Sequence, residues 1–458
     1  MAGHRLRSQR LDRALAAGAL VLALTLSACS AASPSATSSV VQSATASAAA
    51  SVSPTPAANS SPQIAVSGEH ACALPGDGTV KCWGLNYFGE LGDGTRTPSS
   101  VPAGDTLPLV TVTVIAAAGS STPLTGVTAI AAGLRHTCAV LTDTTVKCWG
   151  WNSTIHEPTA ITGSGGQLGD GTVVDRLAPV TVITAAGSSD PLTGVRALAA
   201  GWFHTCALMV DTTVKCWGTN KEGQLGDDNT TDTTAPVAVI AAPGSTTALS
   251  GVMAIATGDF RTCALLADTT VTCWGWNYVS QLSNPVTGPK PDVTPVAVGD
   301  SPSGGVLSGI TAIAVAGGFT QDVGGFLACA LMTSQRAKCW GANDNGSLGD
   351  GTTTSSLTAV DVVGLPGPAT AITGGCALLA DTTISCWPHF DSAGQLVNAP
   401  ALVIEAKGST KPLTGVTTIA LGDSQRCAIL AAGSVKCWSS NGTDPTAVPG
   451  LQITASAG

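Results

Sequence analysis

Fourteen of the fifteen cysteines form seven pairs with one identical interval, and this spacing constrains the fold more than any other feature. Nine residues separate the members of each pair. The pairs are Cys72 with Cys82, Cys138 with Cys148, Cys206 with Cys216, Cys263 with Cys273, Cys329 with Cys339, Cys376 with Cys386, and Cys427 with Cys437. Each interval holds two short apolar segments around a polar turn, which is typical of a β-hairpin. The spacing predicts that paired cysteines lie opposite each other, about 4.5 Å apart at Cα, and form disulfides.

The turn of these hairpins is less well defined by the sequence. A three-residue loop fits the register, and Gly78 and Gly433 then occupy the position that favours a left-handed backbone. Thr144 and Thr270 are poor residues for that position, so the turn type stays open. A zinc site is disfavoured because zinc-binding cysteines stand about two to four residues apart.

The amino-acid sequence around each cysteine pair recurs with periods of 47 to 68 residues. A β-like segment ending in glycine, such as Thr128–Gly133, precedes the hairpin. A glycine-rich turn, such as Gly166–Thr172, and a Pro-Val-x-Val strand, such as Pro179–Val182, follow it. Four strands per unit in seven units describe propeller blades better than a sandwich or a solenoid. With 54 glycines and 11% charged residues, the composition also fits a turn-rich all-β chain.

The recurring string Gly-x-x-His-Thr-Cys-Ala-Leu, Val-Lys-Cys-Trp-Gly-x-Asn and Gly-Gln-Leu-Gly-Asp-Gly-Thr resembles the RCC1 repeat, named for the regulator of chromosome condensation, in its bacterial, cysteine-bearing form. The resemblance covers residues 62–458 and implies an all-β, seven-bladed β-propeller with four strands and one hairpin disulfide per blade. Blade four keeps only Gln281-Leu282 of the glycine turn, blade six keeps Gly394-Gln395-Leu396, and blade seven has lost the Gln-Leu pair. We expect altered outer loops in these blades.

Two segments with similar sequences lie at the ends of the repeat region, Gln63–Gly68 and Leu451–Gly458. Either both segments share one blade as a closing clasp, or the chain stops inside a degenerate eighth repeat. We favour the clasp, because a seven-bladed ring has seven positions for the glycine-ended strand.

The first 61 residues indicate export. Residues 1–28 combine four arginines with an apolar stretch, Ala14 to Leu26, which is too short to span a bilayer. The stretch leads into Leu26-Ser27-Ala28-Cys29, which resembles the lipobox of bacterial lipoproteins. The resemblance implies that Cys29 is lipidated and anchors the protein outside the cytoplasm on the bacterial cell membrane. An ordinary signal peptide, which would release the protein, is the alternative.

Residues 29–61 are rich in Ser, Ala, Thr and Pro and carry no charge, so we interpret them as a flexible tether. The folded region is then residues 62–458. Without residues 1–28 the chain has 16 basic and 28 acidic side chains. A nucleic-acid partner is disfavoured because phosphate binding requires a basic surface.

The titratable residues do not form a recognisable catalytic arrangement. His70, His136 and His204 share one register, but the other blades carry Arg261, Leu327, Gly374 and Gln425 there. We therefore interpret the histidines as buried residues bonded to the backbone. The aspartates of the hairpin and glycine turns are expected turn formers. The sequence accordingly predicts no enzyme activity, no cofactor and no metal site.

The aromatic residues suggest a binding surface. Seven tryptophans, which we call the framework tryptophans, follow the second cysteine of each pair: Trp83, Trp149, Trp217, Trp274, Trp340, Trp387 and Trp438. The other eleven aromatic residues occupy two kinds of loop. Trp202, Phe203, Phe260, Phe319 and Phe326 precede the hairpin, whereas Tyr87, Phe88, Trp151, Trp276, Tyr278 and Phe390 follow the framework tryptophan. Two strands separate these loops, so they should open on one face of the disc.

The opposite face carries the hairpin turns and the linkers between blades, which contain no aromatic residue. Because aromatic residues dominate protein interfaces, the leading hypothesis is a protein-binding scaffold. The alternative for some of these residues is that they fill gaps between blades. Alternative functions are a glycan or cell-wall lectin, and inhibition of an extracellular enzyme such as a β-lactamase, which some relatives of this fold perform. We do not expect the nucleotide-exchange activity of the family's namesake, because an exported protein would not meet its nuclear GTPase.

Overall fold

The computed structural model describes residues 63–96, 110–153, 165–277, 292–301, 304–316, 327–390, 396–406, 408–422, 425–439 and 445–453. The predicted signal segment, the predicted tether and Cys29 lie outside the described residues. Among the described residues there is no helix long and apolar enough to span a bilayer.

Thirty strands form the described region, and they group by blade along the chain. Blades one to three contain β1 (Gln63–Val66), β2 (His70–Leu74), β3 (Lys81–Gly84), β4 (Val112–Thr113), β5 (Val127–Ala132), β6 (His136–Leu141), β7 (Val146–Gly150), β8 (Arg176–Thr181), β9 (Val195–Ala200), β10 (His204–Met209), β11 (Val214–Gly218) and β12 (Thr233–Ala238). Blades four and five contain β13 (Val252–Thr257), β14 (Arg261–Leu266), β15 (Val271–Gly275), β16 (Asp292–Ala297), β17 (Ile310–Ala316), β18 (Leu327–Met332), β19 (Ala337–Gly341) and β20 (Ser356–Asp361). Blades six and seven contain β21 (Ala369–Ile372), β22 (Cys376–Leu379), β23 (Ile384–Cys386), β24 (His389–Phe390), β25 (Leu396–Val397), β26 (Ala401–Leu402), β27 (Val416–Leu421), β28 (Gln425–Leu430), β29 (Ser434–Ser439) and β30 (Thr446–Gln452).

Seven antiparallel four-stranded sheets confirm the predicted fold class. In each sheet the strands follow one another in chain order, and the first strand of every blade is the innermost. Blade six differs because β24 and β25 form a separate two-stranded sheet between β23 and β26. This addition occurs in a blade whose outer loop we expected to be altered. Gln281 and Leu282 of blade four lie outside the described residues.

All seven predicted disulfides are present, one in each hairpin. They join Cys72 to Cys82, Cys138 to Cys148, Cys206 to Cys216, Cys263 to Cys273, Cys329 to Cys339, Cys376 to Cys386, and Cys427 to Cys437. In each blade the two cysteines are direct partners in the register of the hairpin. Their Cα atoms lie 4.0 to 4.1 Å apart, slightly closer than the expected 4.5 Å. The equal spacing in the sequence therefore defines both the hairpin register and the crosslink.

The hairpin turns show why threonine occupies a left-handed position. Thr144 has a φ of 64° and its blade-four equivalent is Thr269, with a φ of 66°, so Thr270 was the wrong residue. The Thr144 hydroxyl accepts a hydrogen bond from the backbone N–H of Gly194 at 2.9 Å. Thr269 accepts the same bond from Gly309 at 3.0 Å. The hydroxyl thus fixes the following linker against the turn, which a glycine could not do.

Apolar packing between neighbouring blades forms the core. At each junction the framework tryptophan of one blade packs against the disulfide of the preceding blade, as Trp149 does against Cys72 and Cys82. The same arrangement recurs at the other six junctions. Because every junction buries a large indole, the apolar area removed from water supplies the main attraction between blades.

The ring closes without the predicted clasp. β1 belongs to blade one, and Leu451 and Gln452 belong to β30, the outermost strand of blade seven. The two ends of the repeat region therefore lie in different sheets, and the clasp prediction is wrong. Ile64 and Trp83 of blade one instead pack with Ile429 and Leu451 of blade seven. Side-chain packing, rather than strand exchange, joins the last blade to the first.

A buried asparagine that the sequence analysis overlooked holds each well-formed glycine turn. The Asn152 side chain accepts a hydrogen bond from Leu168 N–H at 3.1 Å and donates to Asp170 at 3.3 Å. Asn86, Asn220 and Asn343 make the corresponding bonds in blades one, three and five. The recurring Trp-Gly-x-Asn motif was the sequence signal that could have identified these asparagines. The asparagine positions a turn whose carbonyl oxygen contacts the next blade.

Candidate functional site

The loops that carry the aromatic residues start where the innermost strands end in glycine. A Cβ atom on Gly133 would lie 2.4 Å from the Gly201 carbonyl oxygen of the next blade. Only glycine permits this approach of neighbouring backbones. The two kinds of aromatic loop then meet, because Trp151 N–H donates to the Arg135 carbonyl at 2.8 Å and Trp276 N–H donates to the Phe260 carbonyl at 3.0 Å. Both loops therefore lie at one end of these blades.

Six aromatic side chains form a continuous row across blades one to four, which we call the aromatic row. It runs Phe88, Trp151, Phe203, Trp202, Phe260 and Trp276. Successive ring centroids lie 5.1 to 6.1 Å apart. Four of these five contacts are edge-to-face, which is favourable because the positive ring edge meets a negative ring face. Residues from four blades thus form one connected apolar surface.

Burial divides the aromatic row into a core and a flank. Trp151, Trp202 and Phe203 are buried, with 7% exposure at most. They fill space between blades, as the alternative interpretation proposed. Phe88, Phe260 and Trp276 are half-buried, and the neighbouring Tyr87 is 38% exposed. Among the aromatic loop residues that the structure describes, these four are partly accessible to a partner.

The side chains of four predicted binding residues lie outside the described part of the structure. Tyr278, Phe319 and Phe326 lie outside the described residues. The backbone of Phe390 belongs to β24, but its side chain also lies outside the described part of the structure.

An ion pair borders the Phe88 end of the aromatic row. Arg135 donates to both carboxylate oxygens of Glu69, from Nε and one terminal nitrogen, each at 2.7 Å. The guanidinium carbon also lies 5.2 Å from the Phe88 ring centroid. A planar guanidinium in a two-point pair is held firmly, and its stacking on Phe88 adds a cation–π contact. Charged and aromatic groups are therefore fixed side by side.

Beneath Phe88 lies a buried carboxyl group that the sequence analysis did not single out. Glu90 is fully buried, and one of its oxygens accepts the Phe88 N–H at 2.7 Å. The other oxygen has no hydrogen-bond partner in the described structure. Burial raises the pKa of Glu90 to about 8. Blades two and three carry Gln167 and Gln224 at this position, so the signal was one glutamate among glutamines.

The three histidines are buried as expected, but their principal partners are hydroxyl groups. The ring Nε2 atoms of His70, His136 and His204 lie 2.7, 2.9 and 3.0 Å from a threonine hydroxyl of the next blade. The expected backbone hydrogen bond is present at His70, with Leu134, in addition to these hydroxyl partners. Burial lowers the pKa of each histidine to about 3. These rings join blades and are neutral at physiological pH.

The turn aspartates act locally, as predicted. Asp143 accepts hydrogen bonds from the backbone and hydroxyl of Thr145 at 3.0 and 2.6 Å, and these bonds lower its pKa. Asp170 accepts the equivalent bonds from Thr172. Within the described ranges, no group of three or more histidine, cysteine, aspartate or glutamate side chains has the arrangement of a metal site.

The innermost strands of all seven blades surround a central cavity of about 400 Å³. Small side chains such as Ala132, Ala200 and Ala314 line much of it. Trp202 and Asp259 lie where the cavity approaches the aromatic row.

The fold and site define a disulfide-linked seven-bladed β-propeller with an aromatic row at one end of four blades. Models of the regulator of chromosome condensation (RCC1) repeat match residues 63–90, 127–154, 195–224 and 253–281, and a second RCC1 model matches residues 77–140. Models of the RCC1 repeat therefore match parts of the chain. The matched residues lie in blades one to four and their connections.

The chain is also similar in sequence to known proteins. The chain is 29% identical to the ultraviolet-B receptor UVR8 of Arabidopsis thaliana over 214 residues, which cover 46% of this chain and 40% of that protein. It is 28% identical to human E3 ubiquitin-protein ligase HERC2 over 293 residues, which cover 62% of this chain and 5% of that protein. The chain thus matches less than half the length of these relatives. The crystal structure of human WBSCR16 is similar in fold, with a TM-score of 0.60 and 17% identity over 81% of this chain and 93% of that chain.

Proposed function

We propose that this protein is an exported, lipid-anchored scaffold that binds a partner protein through the exposed flank of the aromatic row. The observation that carries the proposal is the contact of six aromatic side chains across four blades, with Tyr87, Phe88, Phe260 and Trp276 partly accessible. A row backed by buried rings is rigid, so binding would cost little side-chain entropy. Aromatic anchors of this kind supply much of the energy in protein interfaces.

The buried part of the row has a supporting role in this proposal. Trp151, Trp202 and Phe203 hold the accessible rings in place, and their replacement would disturb the blades themselves. Binding tests therefore need substitutions at the flank. Tyr87 is the most suitable residue, because its ring is exposed and its loss leaves the buried rings in contact.

The test uses the full chain to capture partners from the envelope of its source cells, followed by affinity measurement with each purified partner. Tyr87→Ala and Trp276→Ala should each weaken binding at least tenfold without lowering the thermal midpoint of unfolding. Val210→Ala, on a hairpin turn at the opposite end, is the matched control because Val210 is 62% exposed. Equal binding by all variants would contradict the proposal. Selective binding to a glycan array, lost in Trp276→Ala, would favour the lectin alternative.

The anchoring part of the proposal is supported by residues 1–61 alone. Cys29→Ser should abolish incorporation of labelled fatty acid and move the protein from the detergent phase to the aqueous phase. Cys29-independent retention at the membrane would contradict lipidation while leaving the binding proposal intact.

A further inference from the structure

The linker after a blade folds back against that blade and adds a leucine to its core. In blade two, Ile183 and Pro191 form an isolated β-bridge across the linker. Leu192, the next residue, donates its backbone N–H to the Val182 carbonyl at 2.8 Å. Its side chain is buried and packs with Val182 and Val146. The linker thus covers the end of the blade with one apolar side chain.

Four other blades have the same arrangement. Their linker leucines are each at most 7% exposed: Leu124, Leu249, Leu307 and Leu413. Each leucine N–H donates to the carbonyl of a valine directly after the outermost strand, at 2.7 to 2.9 Å. Each leucine also shares an apolar cluster with that valine. A leucine-containing segment is therefore the regular occupant of this place in the fold.

Blade five is followed by a shorter linker. It comprises residues 363–368, half the length of residues 183–194 in blade two. Leu365 is half-buried and packs against the apolar cluster of the junction, but its neighbour Pro366 is exposed. A cavity of about 330 Å³ lies beside this linker, and all of its lining residues fall within residues 334–368. Its volume is within the range of small-ligand pockets.

The walls of this cavity correspond to those around the buried leucine of the other blades. Val362 and Ala337 line the cavity. Their equivalents in blade two, Val182 and Val146, pack with Leu192. Among the described residues no backbone N–H donates to the Val362 carbonyl, whereas the Val182 carbonyl accepts the N–H of Leu192. An apolar surface and one backbone acceptor are thus open to a bound segment.

The cavity also carries a positive charge that the other hairpin turns do not have. The first residue of the turn is aspartate in five blades, as in Asp143, but Ser334 in blade five. Arg336, two residues later, lines the cavity and is 64% exposed. Its ion pair with Asp361 is 3.7 Å long, and Asp361 is 47% exposed. Because exposed pairs contribute little, the guanidinium can exchange this contact for a partner's carboxylate.

We propose that this cavity binds a short extended segment of a partner protein that carries a leucine beside an acidic residue. The leucine side chain packs on Val362 and Ala337, its N–H donates to the Val362 carbonyl, and the acidic side chain pairs with Arg336. The first two contacts are those that the chain's own linkers make. As in other cases of strand addition, main-chain hydrogen bonds supply affinity and the side-chain pocket supplies selectivity. The site lies at the hairpin end of the blades, away from the aromatic row.

The test uses the full chain and a fluorescent peptide with the sequence of residues 187–194, Gly-Ser-Ser-Asp-Pro-Leu-Thr-Gly. Fluorescence anisotropy should show saturable binding. Leu192→Ala in the peptide should weaken binding about tenfold, and Asp190→Asn about threefold. The Asp190→Asn peptide should lose nothing further with Arg336→Gln protein, because both changes remove one ion pair. Absence of saturable binding, or equal binding of the leucine and alanine peptides, would overturn the proposal.

Two protein variants test the location of the site. Gly367→Leu should fill the cavity and weaken binding about tenfold, because Gly367 lines the cavity and a Cβ atom there has no neighbour within 4 Å. Arg336→Gln changes an exposed side chain, so it tests the site even if Gly367→Leu is less stable, and it should weaken binding about threefold. The matched control is Lys221→Gln, which removes a cation that is 60% exposed and should leave binding unchanged. Wild-type affinity in Gly367→Leu and Arg336→Gln would refute the assignment.

A second copy of the chain is the competing occupant. Self-association in sedimentation equilibrium that Gly367→Leu abolishes would assign the cavity to that copy and overturn the partner assignment. Failure of the peptide to bind would leave the aromatic-row proposal intact, because the two sites lie at opposite ends of the blades.

Discussion

The junctions among blades one to four differ from the remaining junctions in their polar contacts but not in their apolar core. Three junctions join histidine, threonine and a turn carbonyl, as His136, Thr205 and Gln167 do. At the other four junctions the residues in the histidine and threonine positions are Arg261 with Ala328, Leu327 with Gly375, Gly374 with Arg426, and Gln425 with Ala71. All seven junctions nevertheless bury a framework tryptophan against a disulfide. Apolar packing is therefore sufficient to close the ring.

The polar network has a more local consequence. The aromatic row spans the same four blades that carry the histidine–threonine bonds, and Trp202 and Phe203 directly precede His204 in the chain. The network fixes the ends of the strands from which these loops start. The regular arc, blades one to four, combines a rigid framework with an accessible aromatic flank, whereas the divergent arc, blades five to seven, has Leu327, Gly374 and Gln425 at the histidine position.

The largest loss in the free energy of unfolding should be the same in both arcs. Trp217→Ala and Trp340→Ala each delete a fully buried indole from a junction and should each lower the free energy of unfolding by about 3 to 5 kcal/mol. Urea unfolding measures both values. A much smaller loss for Trp340→Ala would break the conclusion that apolar packing holds the two arcs equally.

Acid should act first on the regular arc. The histidine pKa values of about 3 in the folded state lie below 6.5, so the stabilisation is present above pH 6.5 and is lost as the pH falls toward 3. At pH 5 each histidine should cost about 2 kcal/mol. Hydrogen exchange measured by mass spectrometry should rise in blades two and three before blades five and six. His136→Gln should reduce this difference, and uniform acid opening of all blades would refute it.

Glu90 should produce an opposite pH dependence within the regular arc. Its folded-state pKa of about 8 exceeds the ordinary value of 4.5, so the folded protein retains this proton. The stabilisation is complete below pH 4.5 and declines by about 1.4 kcal/mol per pH unit as the pH rises toward 8. Glu90→Gln should remove the decline, because Gln224 accepts the equivalent backbone bond at 2.9 Å. Unfolding curves at pH 6 and pH 7.5 check this, and identical slopes in both proteins would count against it.

The smallest effect isolates a polar difference between two junctions, one in each arc, because Trp387 of the divergent arc also donates to a turn carbonyl, Ser347 O, at 3.1 Å. Trp217→Phe loses a hydrogen bond to Gln167 O at 2.9 Å, whereas the Trp340 indole has no acceptor among the described residues. Trp217→Phe should therefore be more destabilising than Trp340→Phe by about 1 kcal/mol. Equal losses in urea unfolding would show that the turn carbonyl contributes nothing to the junction.

Several features of the site could be predicted only in part. The two aromatic loop types were correctly placed at one end of the blades, because antiparallel strands return each loop to the same side. The sequence could not distinguish Trp202, which is buried, from Tyr87, which is exposed, because the rings of neighbouring blades decide their burial. For the same reason the backbone was expected as the partner of His136, which instead contacts Thr205, a residue 69 positions away.

The sequence by itself determined the seven hairpins, their disulfides and the number of blades, since these follow from spacings of about ten residues and from a repeat that can be counted. Only the tertiary structure decided how the ring closes and which aromatic side chains are accessible. These properties arise at contacts between blades, where the chemistry of one residue depends on another many tens of residues away. Local spacing defines each blade, and packing between blades defines the surfaces that can bind.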